Sequence, residues 1–362
     1  MKIATVIGAR PQFIKASPVS RALAKCAGID EFLIHTGQHS DEAMSDVFFR
    51  EMGIPGPRHH LGIAGLAHGA MTGRMLESIE QVLLREKPDW VLVYGDTNST
   101  LAGALAACKM HIQVAHVEAG LRSFNRRMPE EINRVCTDHI SSVLFAPTPA
   151  AVRNLEDEGV AREMIVLSGD VMYDATLEFS RAAEDQSRIL ADLALTSGQY
   201  LLATIHRAEN TDDPARLLAI LAALGAVSRR LPVVLPLHPR TRKAIAALGH
   251  LFPSTVTVAN PVGYFDMLML EKHACIIATD SGGVQKEAYF HRVPCVTLRE
   301  ETEWVELVEA GANRLAHPGD AQAIIAAIES ALAASREVFS RTDLYGSGNA
   351  AGEIAAWFSR RN

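Results

Sequence analysis

The sequence predicts an α/β protein made of two doubly wound, parallel-sheet, Rossmann-like domains, and three observations carry that expectation. Short β-rich runs alternate with helical stretches. The alternation runs through once and then restarts. The chain has 362 residues, too many for one ordinary core and suited to two domains of about 150–200 residues each.

In chain order, the first series of strands is expected at Lys2–Ile7, Glu31–His35, Trp90–Tyr94, Gln113–Val117, Val143–Phe145 and Ile165–Leu167. Helical patterns lie between them, among them Met71–Arg85 and Ser99–Lys109. The second series is expected at Tyr200–Thr204, Val233–Leu237, Thr255–Val258, Cys275–Ala278 and Cys295–Leu298, with helices such as Pro214–Arg229 and Ala321–Ala334. Repeated βα units imply parallel sheets covered by helices on both faces. The boundary is expected in the stretch Gly169–Ser197, giving a first domain of residues 1–169 and a second of 170–349. A last helix, Ala350–Arg360, follows the polar joint Thr342–Gly348 and is assigned to the first domain as residues 350–362.

Composition narrows the function classes. An apolar content of 48% with 21% charged residues is ordinary for a soluble globular protein. No apolar run reaches the length of a membrane span, and MKIATVIGAR lacks the layout of a signal peptide. Five scattered cysteines without a CxxC favour neither a disulfide framework nor a zinc site, so a reduced, cytoplasmic protein is expected. The net charge of −7 argues against a general nucleic-acid binder. An anionic ligand would have to be held by local groups.

In open α/β sheets ligands bind beyond the carboxyl ends of the strands, so the residues placed there carry the argument. After the first strand comes IGARPQFIK (Ile7–Lys15), in which Gly8 is read as permitting a tight turn, and Arg10 and Lys15 as either an anion contact or a solvated basic face. GDTNST (Gly95–Thr100) offers Asp96 as a helix cap or a positioned carboxylate. HVEAGLRS (His116–Ser123) sets Glu118 directly after an apolar run, where an unpaired acid costs stability. Glu130 and Glu131 open a helix behind Pro129, as dipole complements or as members of a proton-transfer site. The second series adds two loops bearing both His and Arg, TIHRAEN with His206 and PLHPRTRK with His238, which together suggest phosphate contacts. In TDSGGVQKE, Ser281 caps a helix, Gly282 and Gly283 let a ligand approach free N–H groups, and Glu287 shares their face. Phosphate on the glycines and ribose hydroxyls on the acid form a nucleotide-diphosphate geometry. Neither GxGxxG nor GxxxxGK[ST] is present.

As an ordered set, IGARPQFIK, TGQH, GDTNST, HVEAGLRS, PEEINR, TIHRAEN and TDSGGVQKEA resemble the non-hydrolysing UDP-N-acetylglucosamine 2-epimerases over nearly the whole chain. The resemblance implies the GT-B fold, two Rossmann-like domains around a central cleft, and a cytoplasmic homodimer that takes a UDP-sugar without metal or other cofactor. It implies that Arg10, Lys15 and His238 line the nucleotide cleft and that Asp96, Glu118 and Glu130 stand near the sugar, ahead of Glu131. It further implies that His206 contacts the diphosphate, that Ser281, Gly282 and Gly283 hold phosphate, and that Glu287 holds the ribose. The implied reaction interconverts UDP-GlcNAc and UDP-ManNAc by eliminating UDP to 2-acetamidoglucal and adding it back.

Several positions depart from the family pattern: Gln12 where Glu is common, the loop SFNRRM with Arg126 and Arg127, HRAEN, and REETEWVEL (Arg299–Leu307). Gln38-His39-Ser40-Asp41 and His68-Gly69-Ala70-Met71 lack the pattern of a second, regulatory UDP-GlcNAc site. These departures resemble the branch of UDP-2,3-diacetamido-2,3-dideoxyglucuronate 2-epimerases of O-antigen and other cell-surface polysaccharide synthesis, which is the close alternative to UDP-GlcNAc. In that branch the added arginines would meet a C6 carboxylate. A GT-B glycosyltransferase is the rival enzyme class, and a non-catalytic sugar-nucleotide sensor the rival outside enzymes.

Overall fold

The computed structural model describes residues 1–38, 54, 56–249, 251–340 and 344–362. His39, Ser40 and Asp41 of the regulatory-site comparison, and Thr342 and Asp343 of the polar joint, lie outside the described residues. The chain divides into two compact units, Met1–Ala175 with Thr342–Asn362, and Thr176–Arg341.

The first unit carries a seven-stranded sheet of β1 (Lys2–Ile7), β2 (Asp30–His35), β3 (His59–His60), β4 (Trp90–Tyr94), β5 (Gln113–Val117), β6 (Val143–Ala146) and β7 (Ile165–Leu167). Its spatial order is β3-β2-β1-β4-β5-β6-β7, and its strand pairs are parallel. The second unit carries a six-stranded sheet of β8 (Leu201–Thr204), β9 (Val233–Pro236), β10 (Val256–Ala259), β11 (Ile276–Thr279), β12 (Cys295–Thr297) and β13 (Asn313–Leu315). Its order is β10-β9-β8-β11-β12-β13, again with parallel pairs. In both sheets the order reverses beside the first strand of the series, at β1/β4 and at β8/β11. Those reversals are the topological switch points at which doubly wound sheets leave a crevice for ligands.

Two strands escaped the sequence reading. β3 is two residues long and β13 three, below the length at which periodicity says anything. The strands that were expected are nearly continuous apolar runs because both faces are covered: Val91, Leu92, Val93 and Tyr94 of β4 are all fully buried. The helix His68–Glu86 lays Met71, Met75, Ile79, Val82 and Leu83 on the first sheet, a helical spacing along one face. Burial of such side chains is worth about 1.5–3 kcal/mol each.

The division of the chain after Ala175 falls inside the helix Val171–Gln186, because the first turn of that helix is tied to the first unit. The Asp170 N–H donates to the Tyr345 carbonyl at 3.0 Å, and the Asp174 carboxylate accepts the N–H groups of Ala350 and Ala351 at 3.1 and 2.7 Å. The last helix, Ala350–Ser359, sets Trp357 and Phe358 edge-on against Trp90, with ring centroids 5.3 and 5.5 Å apart.

Glycine is required at two places for different reasons. Gly8 does not have a positive φ; a side chain there would instead strike the Thr36 hydroxyl at 1.9 Å and that of Ser99 at 2.4 Å. Crowding at the end of β1, rather than the tight turn expected from the sequence, excludes a Cβ. Gly120 has φ +81°, and a Cβ would lie 2.3 Å from the Ala151 carbonyl oxygen. Gly159 has the same φ of +81° and nothing within 4 Å. Gly159→Ala should therefore cost only the left-handed penalty of about 1–2 kcal/mol. Gly120→Ala adds a backbone clash and should cost about 3–5 kcal/mol in urea unfolding; equal losses in the two variants would refute the distinction.

Candidate functional site

At the first switch point, β1 ends before Gly8 and β4 before Gly95. Arg10, half-buried, opens the helix Arg10–Leu23 that follows β1. One turn further on, the Lys15 ammonium pairs with Glu118 Oε1 at 2.6 Å, in a site where both side chains are largely buried. The acid that the sequence left costly and unpaired therefore has its cation. A side chain at Gly95 would begin 3.4 Å from Lys15 Nζ and 3.7 Å from Glu118 Oε1, so this pair lies against the turn that carries Asp96. Glu118 itself has φ +72°, a left-handed conformation rare outside glycine.

Asp96 is held from the helix Pro129–Ile140. Its carboxylate pairs with the Arg134 guanidinium, and its carbonyl accepts the Asn133 side-chain N–H at 2.9 Å. Glu130 lies three and four residues before these partners and so shares their helix face. It is half-buried and makes no ion pair or hydrogen bond among the described residues. Its neighbour Glu131 is buried and fully used: its carboxylate accepts the N–H groups of Ser123 and Phe124, both at 2.9 Å, and pairs with Arg134 at 3.0 Å. Glu131 thus fastens the loop in which Phe124 adopts φ +58°. Lys15, Asp96, Glu118 and Glu130 are brought to one corner of the first unit, while Glu131 supports it. Arg126 and Arg127 follow in the same loop and are exposed.

His116, Arg134 and Asn133 escaped assignment from the sequence, although all three stand in the motifs that flagged their neighbours. For His116 the signal was a polar residue inside an otherwise apolar strand; Asn133 and Arg134 sit in the helix Pro129–Ile140 and carried no such mark. His116 is fully buried, with Nδ1 2.7 Å from Asp138 Oδ1 and Nε2 2.7 Å from the Gly95 carbonyl. Burial of Asp138 works to raise its carboxyl, but His116 and Arg122 beside it hold it below the ordinary range.

At the second switch point, β8 ends before His206 and β11 before Asp280. Asp280 is the residue around which this loop is built, and the sequence reading gave it no role. Fully buried, it accepts the backbone N–H of His206 and of Arg207, each at 3.1 Å, and the Asn210 amide at 3.1 Å. Its Oδ1 also faces His206 Nδ1 at 3.1 Å. Burial would raise the Asp280 carboxyl; the contacts from His206 first, then Arg207 and Asn210, pull it below the ordinary value. About half of the His206 side chain remains exposed, and the contact through Nδ1 orients Nε2 away from Asp280.

His238 is exposed and caps the helix Pro239–Ala247 through Nδ1, which accepts the Arg240 N–H at 3.3 Å. Its loop is joined to that of His206 where the Thr241 hydroxyl donates to the Ile205 carbonyl at 2.9 Å. Ser281 caps the helix Gly282–Phe290 by accepting from Val284 N–H. The two glycines then differ. A side chain on Gly282 would meet Glu303 Oε1 at 2.5 Å, so its smallness accommodates the REETEW segment. At Gly283 nothing lies nearer than Glu287 Oε2 at 3.9 Å, which sets open space and Glu287 on one face as the spacing implied. Glu287 is buried beside Tyr264, whose hydroxyl is pushed far up by burial and then by the Glu287 charge.

The depressed Asp280 carboxyl has a stability consequence. Its contribution is present above the unfolded value near 3.8 and is lost as pH falls through the lower folded value. Asp280→Asn should cost about 2–4 kcal/mol at pH 7 in urea titrations. The gap to wild type should narrow below pH 4, and a gap that widens there would contradict this account.

Comparison with known proteins identifies the family. The family model described as UDP-N-acetylglucosamine 2-epimerase matches residues 21–359. A UDP-2,3-diacetamido-2,3-dideoxy-D-glucuronate 2-epimerase of Pseudomonas aeruginosa is 53% identical over 364 residues, which span 99% of this chain and 100% of that protein. A UDP-N-acetylglucosamine 2-epimerase of Methanocaldococcus jannaschii is 48% identical over 324 residues, 87% of this chain and 88% of that one. The crystal structure of Methanocaldococcus jannaschii UDP-GlcNAc 2-epimerase in complex with UDP-GlcNAc and UDP superposes with a TM-score of 0.92 at 44% identity, covering 99% of this chain and 100% of that chain. A spinosyn rhamnosyltransferase, at 14% identity and a TM-score of 0.59, shares the fold alone, as expected of a GT-B architecture. The chain belongs to the UDP-N-acetylglucosamine 2-epimerase family, a family of isomerases with two Rossmann-like α/β domains.

Proposed function

We propose that this protein is a non-hydrolysing epimerase that inverts C2 of a UDP-linked 2-acetamido sugar, with UDP-GlcNAc and UDP-ManNAc as its interconverted pair. One observation carries the reading. The switch point of the first unit carries acids paired with a lysine and an arginine, and that of the second carries histidines, a capped helix start and a buried acid. Proton transfer and the holding of a nucleoside diphosphate need those two kinds of group.

The chemistry explains why both are needed. The C2 hydrogen has no adjacent carbonyl to acidify it, so direct removal by a carboxylate is prohibitive. If the C1–O bond breaks first, UDP leaves with the bonding pair and C1 gains oxocarbenium character. The C2 proton then passes to a carboxylate, and 2-acetamidoglucal remains. In the return step a phosphate oxygen of UDP adds to C1, and a proton reaches C2 from the opposite face. In this reading Asp96 and Glu130 serve the two faces of C2 and Glu118, paired with Lys15, supports them. His206, Ser281 and Gly283 stabilise charge on the departing diphosphate, with Arg10 and His238 as further contacts and Glu287 on the ribose. The sequence requires neither a nicotinamide nor a metal. A homodimer is the assembly that the family resemblance implies.

A second reading is favoured by a specific observation. A relative that matches over the full length is named for UDP-2,3-diacetamido-2,3-dideoxy-D-glucuronate, and the loop fastened by Glu131 presents Arg126 and Arg127. Two exposed guanidinium groups suit a C6 carboxylate that GlcNAc lacks.

NMR in D₂O tests the reaction. The purified protein incubated with UDP-GlcNAc should place deuterium at C2 and reach a mixture of epimers; unchanged C2 or release of free sugar would refute it. Asp96→Asn and Glu130→Gln should each lower kcat by about 10²–10⁴-fold, the usual worth of a positioned acid or base. Parallel assays with the diacetamido-uronate decide the sugar: a preference for it that falls tenfold in Arg126→Ala/Arg127→Ala would install the second reading, and an indifference to both arginines would remove it.

A further inference from the structure

His116 has a constraint that no other histidine among the described residues shares. Each of its ring nitrogens meets a group that only accepts: the Asp138 carboxylate at 2.7 Å and the Gly95 carbonyl at 2.7 Å. A neutral imidazole has one N–H and one lone pair, so either tautomer would aim a lone pair at an acceptor in a fully buried site. With Asp138 ionised, both contacts are satisfied only when both nitrogens carry hydrogen. We propose that His116 is a buried imidazolium that acts as the positioning residue for the acids on either side of it. This role deepens the epimerase reading above and rests on it for the identity of those acids.

The surroundings are built for such a charge. Asp138 Oδ2 takes Arg122 Nη1 at 2.7 Å and the Gly120 N–H at 3.1 Å, and Arg122 in turn makes a double contact with Glu158 at 2.7 Å on each nitrogen. Two cations and two carboxylates balance within one cluster, as burial of a charge demands. Arg122 and the Gly120 N–H, both on Oδ2, favour the ionised form of Asp138, which therefore stays an acceptor towards His116.

What the imidazolium holds is the turn before Asp96. Gly95 sits in a left-handed conformation with φ +64°; its N–H donates to the Val117 carbonyl at 3.0 Å and its carbonyl is taken by His116 Nε2. Gly95, the residue leading into Asp96, is therefore fixed by β5 through both its N–H and its carbonyl. Two residues after His116, the strained Glu118 is tied by its own N–H to the Phe145 carbonyl at 3.1 Å. One side chain thus sets the spacing between the two acid-bearing loops without touching substrate. Displacements near 1 Å at such groups cost about 10²-fold in rate.

Two measurements test the proposal. In ¹H–¹⁵N spectra of the labelled wild-type protein, one histidine should show N–H correlations on both ring nitrogens, absent from His116→Gln; a single ring N–H at His116 overturns the proposal. In kinetics, His116→Gln, whose donors sit on a single nitrogen and whose oxygen only accepts, should lower kcat about 10²-fold and C2 deuterium incorporation in parallel, with KM changed less than about threefold. Unchanged kcat, or a loss confined to KM, overturns the positioning role. A variant too unstable to assay leaves the wild-type spectrum as the decisive reading. A wild type that is inert towards both UDP-sugars while His116 shows both N–H groups overturns the epimerase reading, and the positioning role with it. An active wild type with a neutral His116 overturns only the present proposal.

Discussion

Each unit depends on one buried aspartate that anchors the loops at its switch point. Asp138 and Asp280 are both fully buried, both depressed by their partners against the effect of burial, and both joined to a histidine Nδ1. Each also accepts backbone N–H groups, Gly120 for Asp138 and His206 with Arg207 for Asp280. A parallel sheet leaves its strand ends without ladder partners, and irregular backbone there must find other acceptors. A buried carboxylate meets several such donors at once, and each bond to a charged group is worth roughly twice a neutral one. The cost is a charge that cannot be left alone, which is why removing any partner is expected to cost more than the same contact would on a surface.

The two pairs then diverge in a way that separates their tasks. His116 has no exposure and both ring nitrogens are engaged, so it transmits position and nothing else. His206 is about half exposed with one nitrogen engaged, so its ring is aimed but still has a nitrogen to offer. The same aspartate–histidine contact gives a support in one unit and a presented group in the other, and burial of the ring decides which.

The fold was legible because it is written in length and repetition. Strands such as WVLVY are buried on both faces and read as continuous apolar runs, whereas β3 and β13 are too short to carry a period. Glu118 drew notice because a carboxylate next to an apolar run needs a reason, whereas Asp96 and Glu130 stood out only as acids at a strand end and at a helix start. Their partners were not legible: Arg134 as the cation on Asp96, Lys15 as the cation on Glu118, and Asp280 as the centre of the His206 loop are pairings across the fold that spacing along the chain does not encode. Gly282 likewise has a neighbour that spacing does not encode: a Cβ there would meet Glu303 Oε1, distant in sequence, at 2.5 Å.

Gln12 shows how a departure from a family pattern acquires physical content. Its Oε1 accepts the N–H groups of Gly8 and Ala9 at 2.8 and 3.0 Å, and its Nε2 donates to the Tyr94 carbonyl at 3.0 Å and to Thr100 Oγ1 at 3.1 Å. One buried amide thereby fastens the end of β1 to the end of β4, across the switch point itself. A glutamate in this place would match the two N–H groups but would bring a lone pair against the Tyr94 carbonyl unless it were protonated. The amide makes the same connection with no proton to hold, so the loop carrying Arg10 and the turn carrying Asp96 stay joined whatever the ionisation of the acids around them. A change that looks conservative in the alphabet is, at a buried strand end, a change in which groups donate.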